Sequence, residues 1–352
     1  MDMARKGASG ADRSSGPYVL VTGGLGYVGS HMVLELVARG HKVVVLDDLS
    51  TGVVSALPAG VPLVIGDVAD TAKVAATITD YGVDAIAHFA AKIVVPESVN
   101  DPLHYYYCNT VKSRALVEAA VRSGVRHFIF SSTAAVYGDV ANNPVSEAAM
   151  TLPRSPYGRS KLMTEWMLED AARAHDFRFV ALRYFNVAGA DPRGRIGQSG
   201  PNATHLIKVA MQAALGRRPS VDIYGADYPT RDGTCERDFI HVTDLARAHI
   251  RALDYLRSGG AGGTFNCGYG RGYSVKQIID VVKKVSGVDF EVRLAPRRPG
   301  DPAAVVADNR LVCARLGWRP ELDDIEQIVR HAFAWECRLV QGRHSAHSLR
   351  QR

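Results

Sequence analysis

The sequence predicts a doubly wound parallel α/β sheet followed by a smaller α/β lobe. Three observations carry this: short apolar runs alternating with helical segments over the first half, a glycine-rich turn between the first run and the first helix, and a change of texture beyond Asn186. Tyr18-Val-Leu-Val-Thr22 reads as a buried strand, and the turn Thr22-Gly-Gly-Leu-Gly-Tyr-Val-Gly29 leads into a helix from about Tyr27 to Arg39. His41 to Asp47 is the second strand. Further strands are expected at Leu63-Val-Ile65, Ala85 to Phe89, Phe128-Ile-Phe130 and Phe179 to Leu182, separated by helices near 71–80, 102–123 and 156–174. After Asn186 come a loop rich in Gly, Pro and Arg, a helix near 203–215, a short strand Val221-Asp-Ile-Tyr224, and helices near 275–286 and 323–339. The last two flank the irregular Ala295-Pro-Arg-Arg-Pro-Gly-Asp301. The expected division is a disordered tail at 1–16, a first domain at 17–185, a second lobe at 186–340 and a basic tail at 341–352.

A chain of 352 residues, 47% hydrophobic and 22% charged, has the size and apolar content for a sizeable core. The net charge of +6 is weighted to the C-terminal end, where Arg338, Arg343, Arg350 and Arg352 follow with no acid after Glu336, so the body lacks the basic stripe of a nucleic-acid binder. Cys108, Cys235, Cys267, Cys313 and Cys337 form no C-x-x-C, which argues against a disulfide framework or zinc site, so no metal is expected and a reducing cytoplasm fits. Neither the first sixteen residues nor any apolar run has the pattern of a signal or a membrane span.

Gly23, Gly26 and Gly29 follow a strand and open a helix, where backbone N–H groups can receive a pyrophosphate. Asp47 ends the next strand, eighteen residues after Gly29, where a carboxylate binds ribose hydroxyls and repels a 2′-phosphate. The pattern is that of a Rossmann-type fold and points to NAD. Asp67, in Ile65-Gly-Asp-Val68, suits either an adenine edge or an Asx turn.

Tyr157 and Lys161 stand four residues apart in Ser155-Pro-Tyr-Gly-Arg-Ser-Lys161. On a helix they share a face, and an ammonium beside a phenol lowers its pKa toward neutrality, as a tyrosine base requires. Ser131-Ser-Thr133 follows a strand, at the end of the sheet where ligands bind. Its hydroxyls suit a sugar oxygen, or else an N-cap or turn.

With these residues in view, the chain resembles the extended short-chain dehydrogenases/reductases, and within them the UDP-glucose 4-epimerase branch. The likeness runs from Tyr18 to about Arg338. It rests on Val21-Thr-Gly-Gly-Leu-Gly-Tyr-Val-Gly-Ser-His31, His88-Phe-Ala-Ala91, Pro96-Glu-Ser98, Ser131-Ser-Thr-Ala-Ala-Val-Tyr-Gly138, Leu182-Arg-Tyr-Phe-Asn-Val-Ala-Gly-Ala190, Tyr228-Pro-Thr-Arg-Asp-Gly-Thr234, Arg237 to Leu245 and Ala295-Pro-Arg-Arg298. The resemblance implies Tyr157 as the base for the sugar's C4 hydroxyl, Lys161 on the nicotinamide ribose, and Thr133 on O4. It implies NAD contacts at Gly23, Gly26, Tyr27, Val28, Gly29, Asp47, Asp48, Leu49, Asp67, Val68, Phe89, Ala90, Ala91, Asn109, Ser131 and Tyr184. For the UDP-sugar it implies Asn186, His205, Leu206, Val221, Ile223, Tyr224, Arg237, Arg298 and Asp301, with the two arginines suited to a diphosphate. A homodimer through the helices near 102–123 and 156–174 is a further implication.

Two departures matter. Lys92 comes one place earlier than the family's lysine, and Val305 stands where residue size bears on N-acetylated sugars, which suggests a permissive pocket. A 4,6-dehydratase would carry Asp-Glu where Ala134 and Ala135 stand. A UDP-xylose/UDP-arabinose 4-epimerase shares the chemistry, minus C6, and stays an alternative. A non-catalytic NAD-binding protein has no need of Thr133, Tyr157 and Lys161 together.

Overall fold

The computed structural model describes residues 16–140, 142–200, 204–298 and 301–350, with side chains to residue 341. The first half runs β1 (Tyr18–Thr22), α1 (Tyr27–Ala38), β2 (Lys42–Asp47), β3 (Leu63–Ile65), α2 (Thr71–Tyr81), β4 (Val83–His88), α3 (Val95–Asn100), α4 (Pro102–Tyr106), α5 (Lys112–Arg122), β5 (His127–Ser131), α6 (Pro156–Ala174) and β6 (Arg178–Tyr184). The second half runs β7 (Asn186–Ala188), α7 (Leu206–Ala214), β8 (Ser220–Tyr224), β9 (Glu236–His241), α8 (Val242–Arg257), β10 (Gly263–Cys267), β11 (Gly272–Ser274), α9 (Val275–Ser286), β12 (Glu291–Ala295), β13 (Ala304–Val305), α10 (Arg310–Leu316) and α11 (Ile325–Arg350).

Seven strands form one sheet in the order β10-β6-β5-β4-β1-β2-β3, with every neighbouring pair parallel. Its strands are apolar on both faces, as a sheet covered by helices on both sides requires. Val19, Val21, Val43 and Val45 pack with Met32 and Leu36 of α1 and Leu245 and Leu253 of α8. Leu20, Val44 and Leu46 pack on the other side with Val74 of α2, Leu116 of α5 and Leu168 of α6. The order reverses across β1 and β4, and the crevice outside their carboxyl ends is where such sheets bind ligands.

The second lobe has its own core, built from Ile207 and Met211 of α7, Val221 and Ile223 of β8, Ile278 and Val282 of α9, and Ile328 and Val329 of α11. β9 is the centre of a small sheet with β7, β11 and β13, and β8 pairs with β12.

Three differences from expectation have physical reasons. The boundary at 185/186 cuts through the main sheet's unit, because β10 returns to pair with β6 and α8 covers the sheet beside α1. An apolar face along Leu245, Leu253 and Leu256 demands burial that the small lobe does not provide. The single helix expected near 102–123 is instead α4, a wide π-type turn at Tyr107–Val111, and α5, and the turn places Asn109 inward, 1% exposed. The helix expected to end near 339 continues to Arg350, while residues 1–15 of the expected N-terminal tail lie outside the described residues.

Candidate active site

Helix α1 begins at Gly26, which offers no side chain to cap its first turn. That leaves amide donors for an anion. Two close approaches explain the glycines. A Cβ on Gly29 would lie 2.2 Å from the Gly23 oxygen, and one on Gly23, whose φ is +67°, would lie 2.6 Å from the Ala90 nitrogen. The turn is therefore closed against the segment after β4, which carries Phe89, Ala90 and Ala91. Phe89 in turn lies against His249, with ring centroids 4.8 Å apart.

Asp47, 6% exposed, accepts from the Leu25 nitrogen (3.0 Å) and the Leu49 nitrogen (2.9 Å), one on each carboxylate oxygen. A carboxylate has about four acceptor sites, so both oxygens keep capacity for a ribose. Leu49 has φ of +62°, and Asp48 closes an Asx turn on the Ser50 nitrogen (2.9 Å). Asp67 likewise closes a turn on the Ala69 nitrogen and pairs with Lys112, a residue for which the sequence offered no signal. Val68 is buried in the core beside it. Tyr27 donates to the Gly189 carbonyl (2.7 Å), tying the glycine turn to the chain after β7. Val28 packs against the core on the α1 side.

At the other end of the crevice, Ser155 caps α6 by accepting from the Gly158 nitrogen (3.2 Å), and Pro156 occupies its first turn. This start sets Tyr157 and Lys161 one turn apart, both buried (7% and 3% exposed) against the end of β5. Lys161 donates to the Ser131 carbonyl (3.0 Å) and lies 4.9 Å from the Phe130 ring centroid. The Ser131 hydroxyl meets the Tyr184 hydroxyl at 2.7 Å. Thr133 accepts from the Ala135 nitrogen (3.1 Å) and is also the hydrogen-bond partner of the Tyr157 phenol. It is both a turn cap and a neighbour of Tyr157.

The electrostatics differ from the expected pairing. Among the protein's own groups, burial pushes the Tyr157 phenol above its ordinary range, Tyr184 adds to this, and the Thr133 hydrogen bond pulls it back. Lys161 is pushed down to about 7 by burial, against the field of Glu165. The reason is geometric: the ammonium is directed at Ser131 and Phe130 on β5, and dehydration of the phenol outweighs any help from it. Asn109 acts as a bracket, accepting from the Lys92 nitrogen (2.8 Å) and donating to the Lys92 carbonyl (2.9 Å) and the Ser160 hydroxyl (3.0 Å). Lys92 itself is half-buried.

In the second lobe the predicted residues divide. Arg298 lies over the Tyr224 ring at 3.6 Å and Arg237 faces Asp301 at 3.6 Å, while the Asp301 nitrogen donates to the Arg298 carbonyl (3.3 Å), so these four converge. Residues 299 and 300 between Arg298 and Asp301 lie outside the described residues. Val221 and Ile223 turn their side chains into the lobe core. Asn186 begins β7, opposite Phe239. His205 precedes α7, at whose first position Leu206 stands, and meets the Gln198 amide at 2.7 Å. Val305 is buried with Tyr137, Phe185 and Leu162. Among the described residues no group of three or more His, Cys, Asp or Glu could hold a metal ion, and no helix is long and apolar enough to cross a membrane.

The model of the NAD dependent epimerase/dehydratase family matches residues 19–268, most of the chain and all of its large sheet but Tyr18. The chain belongs to this family. It is 53% identical over 329 residues to the UDP-glucose 4-epimerase of Azospirillum brasilense, covering 94% of each protein. Among solved structures, UDP-glucose 4-epimerase from Brucella ovis in complex with NAD aligns with a TM-score of 0.88 at 43% identity, covering 91% of this chain and 98% of that one. The Stenotrophomonas maltophila enzyme with bound NAD and formylated UDP-arabinopyranose aligns with a TM-score of 0.90 at 38% identity, covering 93% and 100%. Family membership accounts for the sheet order, the glycine turn and the α6 pair together.

Proposed function

We infer that this chain is an NAD-dependent UDP-glucose 4-epimerase that interconverts UDP-glucose and UDP-galactose. The observation that carries the reading is the convergence of Thr133, Tyr157 and Lys161 at the carboxyl end of β5, beside a glycine turn whose close approaches exclude a side chain. The residues present fit the cofactor: an uncapped helix start for the pyrophosphate and Asp47 for the adenosine ribose. When bound, NAD supplies reversible hydride acceptance, which takes C4 of the hexose to a ketone and back.

The chain's own residues do the rest. Thr133 holds the C4 oxygen and links it to the Tyr157 oxygen, which in its ionised form takes the C4 hydroxyl proton as the C4 hydrogen leaves and returns it afterwards. Lys161 would hold the nicotinamide ribose, and its ammonium, one turn away on α6, would offset part of the burial that raises the phenol. Arg237 and Arg298 grip the diphosphate, while the hexose meets few groups and can turn to present its other face. For Arg237 this means leaving Asp301, at 3.6 Å, for a doubly charged ligand. Nothing acidic stands at Ala134 and Ala135 to expel water, which disfavours dehydration.

Purified protein incubated with UDP-galactose, without added NAD, is expected to produce UDP-glucose. A 4-keto-6-deoxy product, or no turnover of any UDP-sugar, would overturn the reading. Turnover of N-acetylhexosamine substrates is proposed as a second activity only on the family position of Val305, whose side chain itself lies in a packed apolar cluster. The homodimer is also proposed here, supported by exposed Leu103, Tyr107 and Val111 at four-residue spacing and exposed Met163 and Trp166 on α6. Five free cysteines fit a reducing compartment, for which we propose the cytoplasm.

A further inference from the structure

Helix α6 carries a third residue in line with Tyr157 and Lys161. Glu165 stands one further turn along, and its side chain is 5% exposed. Each of the three is tied to the end of β5: Tyr157 to Thr133, Lys161 to the Ser131 carbonyl, and Glu165 to the Ser132 hydroxyl. Arg183 of β6 grips both oxygens of the Glu165 carboxylate, donating from Nε to Oε1 (3.0 Å), which Ser132 shares, and from Nη2 to Oε2 (2.6 Å). Arg183 is braced in turn by the Tyr137 hydroxyl (3.0 Å), which donates to Asn266 of β10 (2.6 Å).

We propose that Glu165 is a positioning residue of the reaction site, which locks α6 in register on β5 and whose negative charge supports the Lys161 ammonium. This rests on the reading of Tyr157 and Lys161 given above and adds a residue that touches neither sugar nor cofactor. Its bidentate grip by Arg183 and its contact with Ser132 fix the carboxylate at both ends, so its charge cannot swing away from the site. Burial alone drives Lys161 toward the neutral amine, and Glu165 is the acid whose field opposes that.

The groups around the pair make the effect readable. Tyr105 of α4, Tyr137 and Tyr184 are held above the ordinary phenol range, in each case chiefly by burial. His88 of β4 is held neutral, pushed down to about 3 by burial and then by Lys161. Arg183 keeps its charge throughout. Lys161, pushed down to about 7, is therefore the group that loses its proton on the alkaline side. Removing Glu165 lowers the Lys161 pKa further, so the ammonium is lost at lower pH.

The test is the pH dependence of UDP-galactose turnover by Glu165→Gln holoenzyme. The expected result is an alkaline limb displaced toward acid by about one pH unit, with turnover about tenfold lower at pH 8, a smaller loss at pH 6, and an unchanged KM. If the unpaired Arg183 prevents folding, Glu165→Met with Arg183→Met replaces the whole buried pair by apolar side chains, a change such pairs tolerate. It should show the same displacement, reduced in size. A folded variant of either kind that keeps the wild-type profile, or loses the same factor at every pH, overturns the proposal. Tyr157→Phe separates this from the underlying reading: an active Tyr157→Phe enzyme defeats the site assignment itself, whereas an inactive one beside an unaltered Glu165 variant defeats only the role of Glu165.

Discussion

Gly23→Ala tests whether the glycine turn and the segment after β4 are one fitted unit. Two costs act at this position. A φ of +67° is left-handed, which costs an L residue about 1–2 kcal/mol. The new Cβ would also lie 2.6 Å from the Ala90 nitrogen, 2.8 Å from its Cα and 2.9 Å from the Phe89 carbonyl carbon, all inside the 3.4 Å at which ordinary contact begins. These are backbone atoms, so the strain cannot be relieved by a rotamer change, and overpacking of this kind costs about 1–3 kcal/mol more. Gly40 supplies the control, with a φ of +79° and nothing within 4 Å of the place a Cβ would take. Gly40→Ala should lose about 1–2 kcal/mol in urea unfolding and keep its full complement of NAD. Gly23→Ala should lose about 2–5 kcal/mol and release most of its NAD, because the displaced segment carries Phe89, Ala90 and Ala91. The assay is NAD content of the purified protein together with urea midpoints. Equal destabilisation of the two variants, with NAD retained in both, would refute the reasoning.

Acid stability carries a signature of His88. Burial pushes it down to about 3, so between that value and its ordinary 6.5 the unfolded chain binds a proton that the folded protein refuses. Stability contributed here is present above pH 6.5 and is lost as pH falls toward 3, by up to about 4–5 kcal/mol; His88→Asn should flatten the slope of urea midpoints between pH 7 and 4. Arg298→Lys keeps the charge but loses the planar group stacked 3.6 Å over Tyr224, so KM for UDP-galactose should rise about 5- to 30-fold with kcat little changed. An unchanged KM would remove Arg298 from the substrate site. Trp166→Glu places a charge on the exposed apolar face of α6, and sedimentation should show monomers in place of the proposed dimer; a wild-type protein that sediments as a monomer would refute the dimer directly.

The sheet was legible because its signals are local. Val19, Leu20 and Val21 are apolar on both faces, Gly23 to Gly29 punctuate the first turn, and Ser155-Pro156 announces α6 with its Tyr157 and Lys161. The return of β10 to the first sheet was not legible, since Gly263 to Cys267 is a short run whose partner, β6, lies about 80 residues earlier. Lys112 was invisible for a similar reason, as its pairing with Asp67 depends on how α5 packs beside α2, the helix that follows Asp67. Glu165 was within reach, for extending the four-residue spacing of Tyr157 and Lys161 by one turn arrives at it. The direction of the Tyr157 shift was misjudged because spacing places two residues on a face but does not say where a long side chain points. Lys161 turns to Ser131 and Phe130, and burial prevails.

The central claim is that the hydrogen taken from C4 is held in the site and returned to the same carbon. UDP-galactose deuterated at C4, turned over by the purified protein in ordinary water without added NAD, measures this most directly. UDP-glucose with its deuterium still at C4 is the predicted product. UDP-glucose whose C4 deuterium has been replaced by solvent hydrogen would contradict the account.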